Sequence, residues 1–195
     1  MGITRHWKLI ALFGAALLML LAGLIAAQEV QDPNPPLEME YPAISQYGGV
    51  VPRDDDNEDV PAVNGTYKVI FDVDSGASSP SQLNPGLKRV ARAINVFAAH
   101  GVKPEQLQFV AIIHGAATRS VITDQTYRAW FDTDNPNTGL ITALKKAGVK
   151  VEVCGQALSH WRIGDNDINR EIAIAPAALT TLAIYGMRGY AYERL

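Results

Sequence analysis

Residues 107–113 read LQFVAII, a seven-residue run in which Gln108 is the one polar side chain. A run this short and apolar forms a strand, and a strand without polar alternation is covered on both faces. Sheets covered on both faces are built from parallel strands joined by helices, which restricts the fold sharply. The flanking sequence supplies the helices. YKVIFDV at 67–73 is another β-rich run, and LNPGLKRVARAINVFAAHG after it puts Leu87, Val90, Ile94, Phe97 and Ala98 on one helical face. Asn84 as N-cap, Pro85 at the first helical position and Gly101 past the last turn mark that helix at both ends.

The alternation continues downstream. ATRSVITDQTYRAWF predicts a less regular helix, and Asn135 and Pro136 repeat the cap signature before Leu140, Ile141 and Leu144, with Gly148 as the stop. VKVEV at 149–153 reads as a third strand and EIAIA at 171–175 as a fourth. PAALTTLAIYGM reads as a helix begun by Pro176, and a short last strand lies near GYAYERL. Right-handed crossovers then give an α/β domain over residues 66–195, a mostly parallel sheet between two helical layers.

Ligands of such sheets sit outside the carboxyl ends of the strands. Two chemistry-bearing residues stand there, each followed by a glycine: His114 after AII and Cys154 after VEV. If their strands are neighbours, the backbones lie about 5 Å apart, within reach of an imidazole–thiol interaction through space or one water. A helix starting in GQALSHW would favour the thiolate and lower the Cys154 pKa. The competing reading is a small buried apolar group, because cysteine is among the most frequently buried residues. His114 has its own plain reading, an imidazole satisfied by a backbone carbonyl. Cys154 is the single cysteine of the chain, so no internal disulfide can form.

The amino terminus bears on compartment. Arg5 and Lys8 precede the apolar run LIALFGAALLMLLAGLI, which ends in AAQ, a signal-peptide pattern with cleavage near Ala27. The same run also suits an uncleaved anchor, so the chain is expected to be periplasmic or otherwise exported, and membrane-attached if residues 1–27 are retained. Residues 28–65, including QDPNPPLEMEYP and VPRDDDNEDVP, are rich in proline and acid and read as a linker. The acidic run from Asp54 to Asp59 lacks the spacing of a calcium loop. With 17 Lys and Arg against 20 Asp and Glu, the net charge is −3 and no basic stripe suggests nucleic acid. No GxSxG, HExxH, Walker loop or GxGxxG is present, and Cys154 with His160 does not complete a metal set, so neither a cofactor nor a metal is expected.

The segments KVIFDV, AIIHGAA, YRAWFDTDNPNTGLITALKKAGVKVEVCGQAL and DINREIAIAPAALTTLAIYGMRGYAY together resemble the DsrE/DsrF family of sulfur-relay proteins, particularly its YchN-like branch. The resemblance rests most on the HG after the second strand, the NPN before a helix, and GVKVEVCG. It implies a five-stranded sheet in the order 4-3-2-1-5, a homotrimer or homohexamer, and a sulfur-binding cysteine at Cys154. Its partners would be a sulfur donor and acceptor thiols. Trp130, Phe131 and Trp161 are the aromatics expected between subunits, or within each subunit's own core. Two functions stand side by side: a carrier holding sulfane sulfur as a persulfide on Cys154, and a non-enzymatic oligomer binding a small ligand with Cys154 packed and unreactive.

Overall fold

A computed structural model describes residues 36–53 and 59–195. The leader and most of the acidic run at 54–59 fall outside the described residues. Glu38–Leu195 form one compact unit. Its strands and helices run β1 (Tyr67–Val73), α1 (Pro85–Ala99), β2 (Leu107–Ile113), α2 (Asp124–Phe131), α3 (Thr138–Lys146), β3 (Lys150–Cys154), α4 (Gly155–Trp161), β4 (Ala173–Ala175), α5 (Ala178–Met187) and β5 (Ala191–Arg194).

All four strand pairings are parallel, and the sheet order is β4-β3-β2-β1-β5. The chain steps outward from β1 to β4, then returns to the far edge through α5. Because crossovers keep one hand, that reversal of direction puts α5 on the opposite face from α1 and α3. The larger core joins Phe71, Val73, Phe109, Ile113 and Val153 of the sheet to Leu87, Val90 and Ile94 of α1 and Leu140, Ile141 and Leu144 of α3. Burying each such aliphatic chain contributes about 1.5–3 kcal/mol. The other face is thinner: Ile70, Val110, Ile112, Cys154 and Ala175 lie under Ala178 and Tyr185 of α5.

Helix α1 begins as the sequence predicts, with Asn84 Oδ1 accepting from Leu87 N–H at 3.0 Å and Pro85 in the first turn. Residues 117–131, expected as one helix, are two pieces. A 3-10 segment, Gly115–Val121, ends where Ile122 bridges Ile168 in antiparallel fashion, and α2 starts only after Thr123 caps Thr126. The break has a specific cause. Asn135 Nδ2 donates to the carbonyls of Ser120 (2.9 Å) and Ile122 (2.7 Å), so side-chain amide hydrogens take acceptors that a continuous helix would use. The same asparagine sets the start of α3, its Oδ1 receiving Asn137 N–H at 3.0 Å, so the cap lies two residues past Asn135.

Residues 38–53, inside the stretch read as linker, lie against the domain. Ile44 and Val50 are buried, and Glu40 and Val50 form an antiparallel bridge. This strap is held by Asn95 of α1, whose side chain is fully buried.

Candidate functional site at the carboxyl edge of the sheet

The register fixes which side chains share a face. Asp72 pairs with Ile112 and Ile113 with Val153, so continuing one residue sets His114 opposite Cys154. His114 keeps an extended backbone, which preserves the strand alternation as far as that residue. Asp72 of β1, His114 at the end of β2 and Cys154 at the end of β3 therefore occupy one face, three adjacent strands wide.

His114 makes its close contact toward β1. Its Nε2 lies 2.5 Å from Asp72 Oδ1. Tyr192 of β5 donates its hydroxyl to the other carboxylate oxygen, Oδ2, at 2.6 Å. That hydrogen bond to Asp72 pushes the Tyr192 phenol above its usual range, which keeps it the donor. A carboxylate only accepts, so Nε2 carries the hydrogen of the His114–Asp72 contact, and Nδ1 is the ring atom left for another partner. Asp72 is 6% exposed, so the acceptor is fixed in the wall, while the His114 side chain, 27% exposed, stays open to solvent. Gly115 follows His114 with φ +55°, and a Cβ there would stand 2.9 Å from Asp74 carbonyl oxygen, so the turn that ends β2 requires glycine.

A second acid extends the edge. Arg194 donates to Asp74 Oδ2 through Nη2 at 2.6 Å, and together with a hydrogen bond from Ser75 this lowers the Asp74 carboxyl below the ordinary aspartate range.

Cys154 is 6% exposed and belongs to the thinner core with Ile112, Ala175 and Ala178. It is the N-cap residue of the seven-residue helix α4, and its side chain makes no cap hydrogen bond. The two residues singled out in the sequence are thus brought to neighbouring strand ends, but the imidazole is anchored by Asp72 rather than by the thiol. Asp72 and Tyr192 escape a sequence reading built on strand ends. The available signal was parity: an aspartate within the apolar stretch VIFDV of β1, on the same face as the residue that ends the next strand. Tyr192 has no such signal, because β5 is a short edge strand and its place beside β1 follows only from the reversal.

The aromatics expected at a subunit interface are partly used within the chain. Trp161 Nε1 donates to Gly115 carbonyl oxygen at 2.9 Å, and the rings of Trp161 and Phe131 flank the Arg119 guanidinium. Trp130 is exposed. The more open apolar surface is on α5, where Leu179 is 82% and Met187 90% exposed. Among the described residues no helix is long and apolar enough to cross a membrane.

The DsrE/DsrF-like family model matches residues 68–192, a span that holds β2, β3 and β4, most of β1 and the first half of β5, with the candidate site residues Asp72, His114 and Cys154. The chain belongs to the DsrE/DsrF-like family. No curated protein shows significant sequence similarity to it. Among solved structures, the protein of unknown function MTH1491 from Methanobacterium thermoautotrophicum superposes with a TM-score of 0.51 at 16% identity, over 66% of this chain and 99% of that chain. At that identity the likeness concerns the fold alone. The strand order expected from the DsrE resemblance, 4-3-2-1-5, is the observed one.

Proposed function

We propose that this DsrE-like protein is a sulfur carrier in which Cys154 holds sulfane sulfur as a persulfide. The observation that carries the reading is the alignment of Cys154 with the Asp72-held imidazole of His114 at the ligand-binding edge of the sheet. His114 Nδ1 accepts the thiol proton. The thiolate then attacks the outer sulfur of a polysulfide or related sulfane compound, forming the Cys154 S–S bond. The donor's own S–S bond breaks, and its electron pair leaves on the shortened donor thiolate. In unloading, an acceptor thiolate attacks the outer sulfur and the electron pair returns to Cys154, so no oxidant is consumed. The chain has one cysteine, so the acceptor is a partner protein or a small thiol. The leader sequence supports placing this exchange outside the cytoplasm.

The burial of Cys154 favours a second reading, a packed thiol in a small-ligand-binding oligomer. A small alkylating reagent at neutral pH separates the two. The carrier reading expects native Cys154 to be modified at a rate approaching that of the urea-unfolded chain. Complete protection of the native thiol supports the packed reading.

A second copy of the chain is proposed to cover α5, whose sequence ALTTLAIYGM carries no charge and whose outer side exposes Leu179, Ile184 and Met187. Trimers or hexamers would bury Leu179 and Met187. Light scattering should show an assembly at micromolar concentration that Met187→Glu with Leu179→Glu converts to monomer. A wild-type monomer under those conditions contradicts the assembly.

A further inference from the structure

A pocket lined by neither Cys154 nor His114 opens between the loop after β1, residues 74–84, and the 3-10 segment that follows His114. Its volume is about 140 Å³. One charged side chain lines it, Arg119, and no carboxylate does. Among the described residues Arg119 forms no ion pair. Its guanidinium is held instead by two rings, 5.2 Å from the centroid of Trp161 and 5.8 Å from that of Phe131. Ring stacking uses the flat faces of a guanidinium and leaves its in-plane N–H donors free.

The other wall brings donors. Among the described residues the backbone N–H groups of Gly76, Ala77 and Ser78 find no acceptor within the protein, and a Cβ on residue 76 would lie 3.5 Å from Arg119 Nη2. The guanidinium therefore sits beside the first of three consecutive free amides that line the same pocket, and consecutive free amides with an adjacent cation form an anion-binding concavity. The base of the pocket is fixed in advance. Asn84 and Asn137 are buried, and Asn84 N–H donates to Asn137 Oδ1 at 2.7 Å while Asn137 Nδ2 donates to Asn135 Oδ1 at 3.0 Å. A wall already satisfied by its own hydrogen bonds needs little ordering when a ligand enters.

Size decides the ligand class. At the roughly 30 Å³ that a water occupies the pocket holds on the order of five waters, and it falls short of the roughly 300–1,000 Å³ of a drug-sized or cofactor site. We infer that the pocket binds a small tetrahedral oxyanion, of the class of sulfate, thiosulfate or phosphate, through the Arg119 guanidinium and the amides of residues 76–78. The inference is independent of any sulfur chemistry at Cys154.

Calorimetric titration of the full chain with sodium thiosulfate, sulfate and phosphate tests it, with sodium chloride at matched ionic strength as the reference. Saturable binding of at least one oxyanion, absent with chloride, is expected, and the relative affinities separate a sulfur oxyanion from phosphate. Arg119→Met removes the charged donors and should weaken binding about ten-fold or more. Methionine keeps apolar contact with the two rings. Ser78→Glu, at an exposed position of the lining, should weaken binding similarly by placing a negative charge at the pocket and carries the test if Arg119→Met does not fold. No saturable binding of any oxyanion, or binding unchanged in the folded variants, overturns the inference.

Discussion

Asn95→Leu is expected to lower stability by roughly 3 kcal/mol and to release the amino-terminal strap, because the lost amide leaves several buried backbone groups unpaired at about 1–3 kcal/mol each. Asn95 is fully buried in the middle of α1, a position where a helix facing the core would otherwise carry an apolar side chain. Its Oδ1 accepts from the N–H groups of Ala43 (3.0 Å) and Ile44 (2.8 Å), and its Nδ2 donates to the carbonyls of Ile44 (3.2 Å), Tyr47 (2.9 Å) and Gly48 (3.0 Å). One side chain thus does for residues 43–48 what a neighbouring strand would do. Gly48 completes the fit: at φ +64°, a Cβ there would lie 2.2 Å from Arg92 backbone nitrogen, so any other residue would push the strap off α1. Urea titration should show the lowered midpoint. Limited proteolysis should cut residues 38–53 ahead of the domain in the variant and spare them in the wild type. An unchanged midpoint with the strap still protected would show that Asn95 does not hold it.

Asp72→Asn is expected to remove the charge from the His114 anchor while leaving the fold in place. Asp72 receives two donors, Nε2–H of His114 and the hydroxyl of Tyr192. An asparagine offers one acceptor and one donor, so one of the two neighbours must face an N–H. The Tyr192 hydroxyl can accept it, so the imidazole keeps an amide oxygen but loses the carboxylate that would stabilise its charge as it takes the thiol proton. On the proposed mechanism, alkylation of Cys154 near neutral pH should slow by about ten-fold, within the usual reach of a positioned base of roughly 10²–10⁴. His114→Ala should slow it by a similar amount, and the double variant should be no slower than His114→Ala alone, because both changes act through one ring. Independent, multiplying effects would mean that Asp72 acts on the thiol by another route.

The sheet was readable from local sequence because its strands are short apolar runs set off by glycine, and LQFVAII and YKVIFDV match β2 and β1 residue for residue. The order of those strands was not local information and came from resemblance. What stayed hidden depends on long-range polar contacts. Asn135 breaks the helix expected after His114 by capturing the Ser120 and Ile122 carbonyls, and no propensity at residues 120–122 announces that. The strap was hidden for the same reason: the proline and acid content of residues 28–65 reads as linker, and its anchor, Asn95, lies about 50 residues away on a helix. At the candidate site His114 and Cys154 were legible as strand ends. Their partners were not, because Asp72 and Tyr192 meet only once β5 has returned to the edge beside β1.

The central claim is that Cys154 accepts sulfur, and intact mass spectrometry of the full chain after polysulfide treatment reads it directly. The wild type should gain the mass of one sulfur atom and lose it on addition of a small thiol, while folded Cys154→Ser, on the same treatment, gains nothing. An unchanged wild-type mass, or the same gain in Cys154→Ser, would contradict the account.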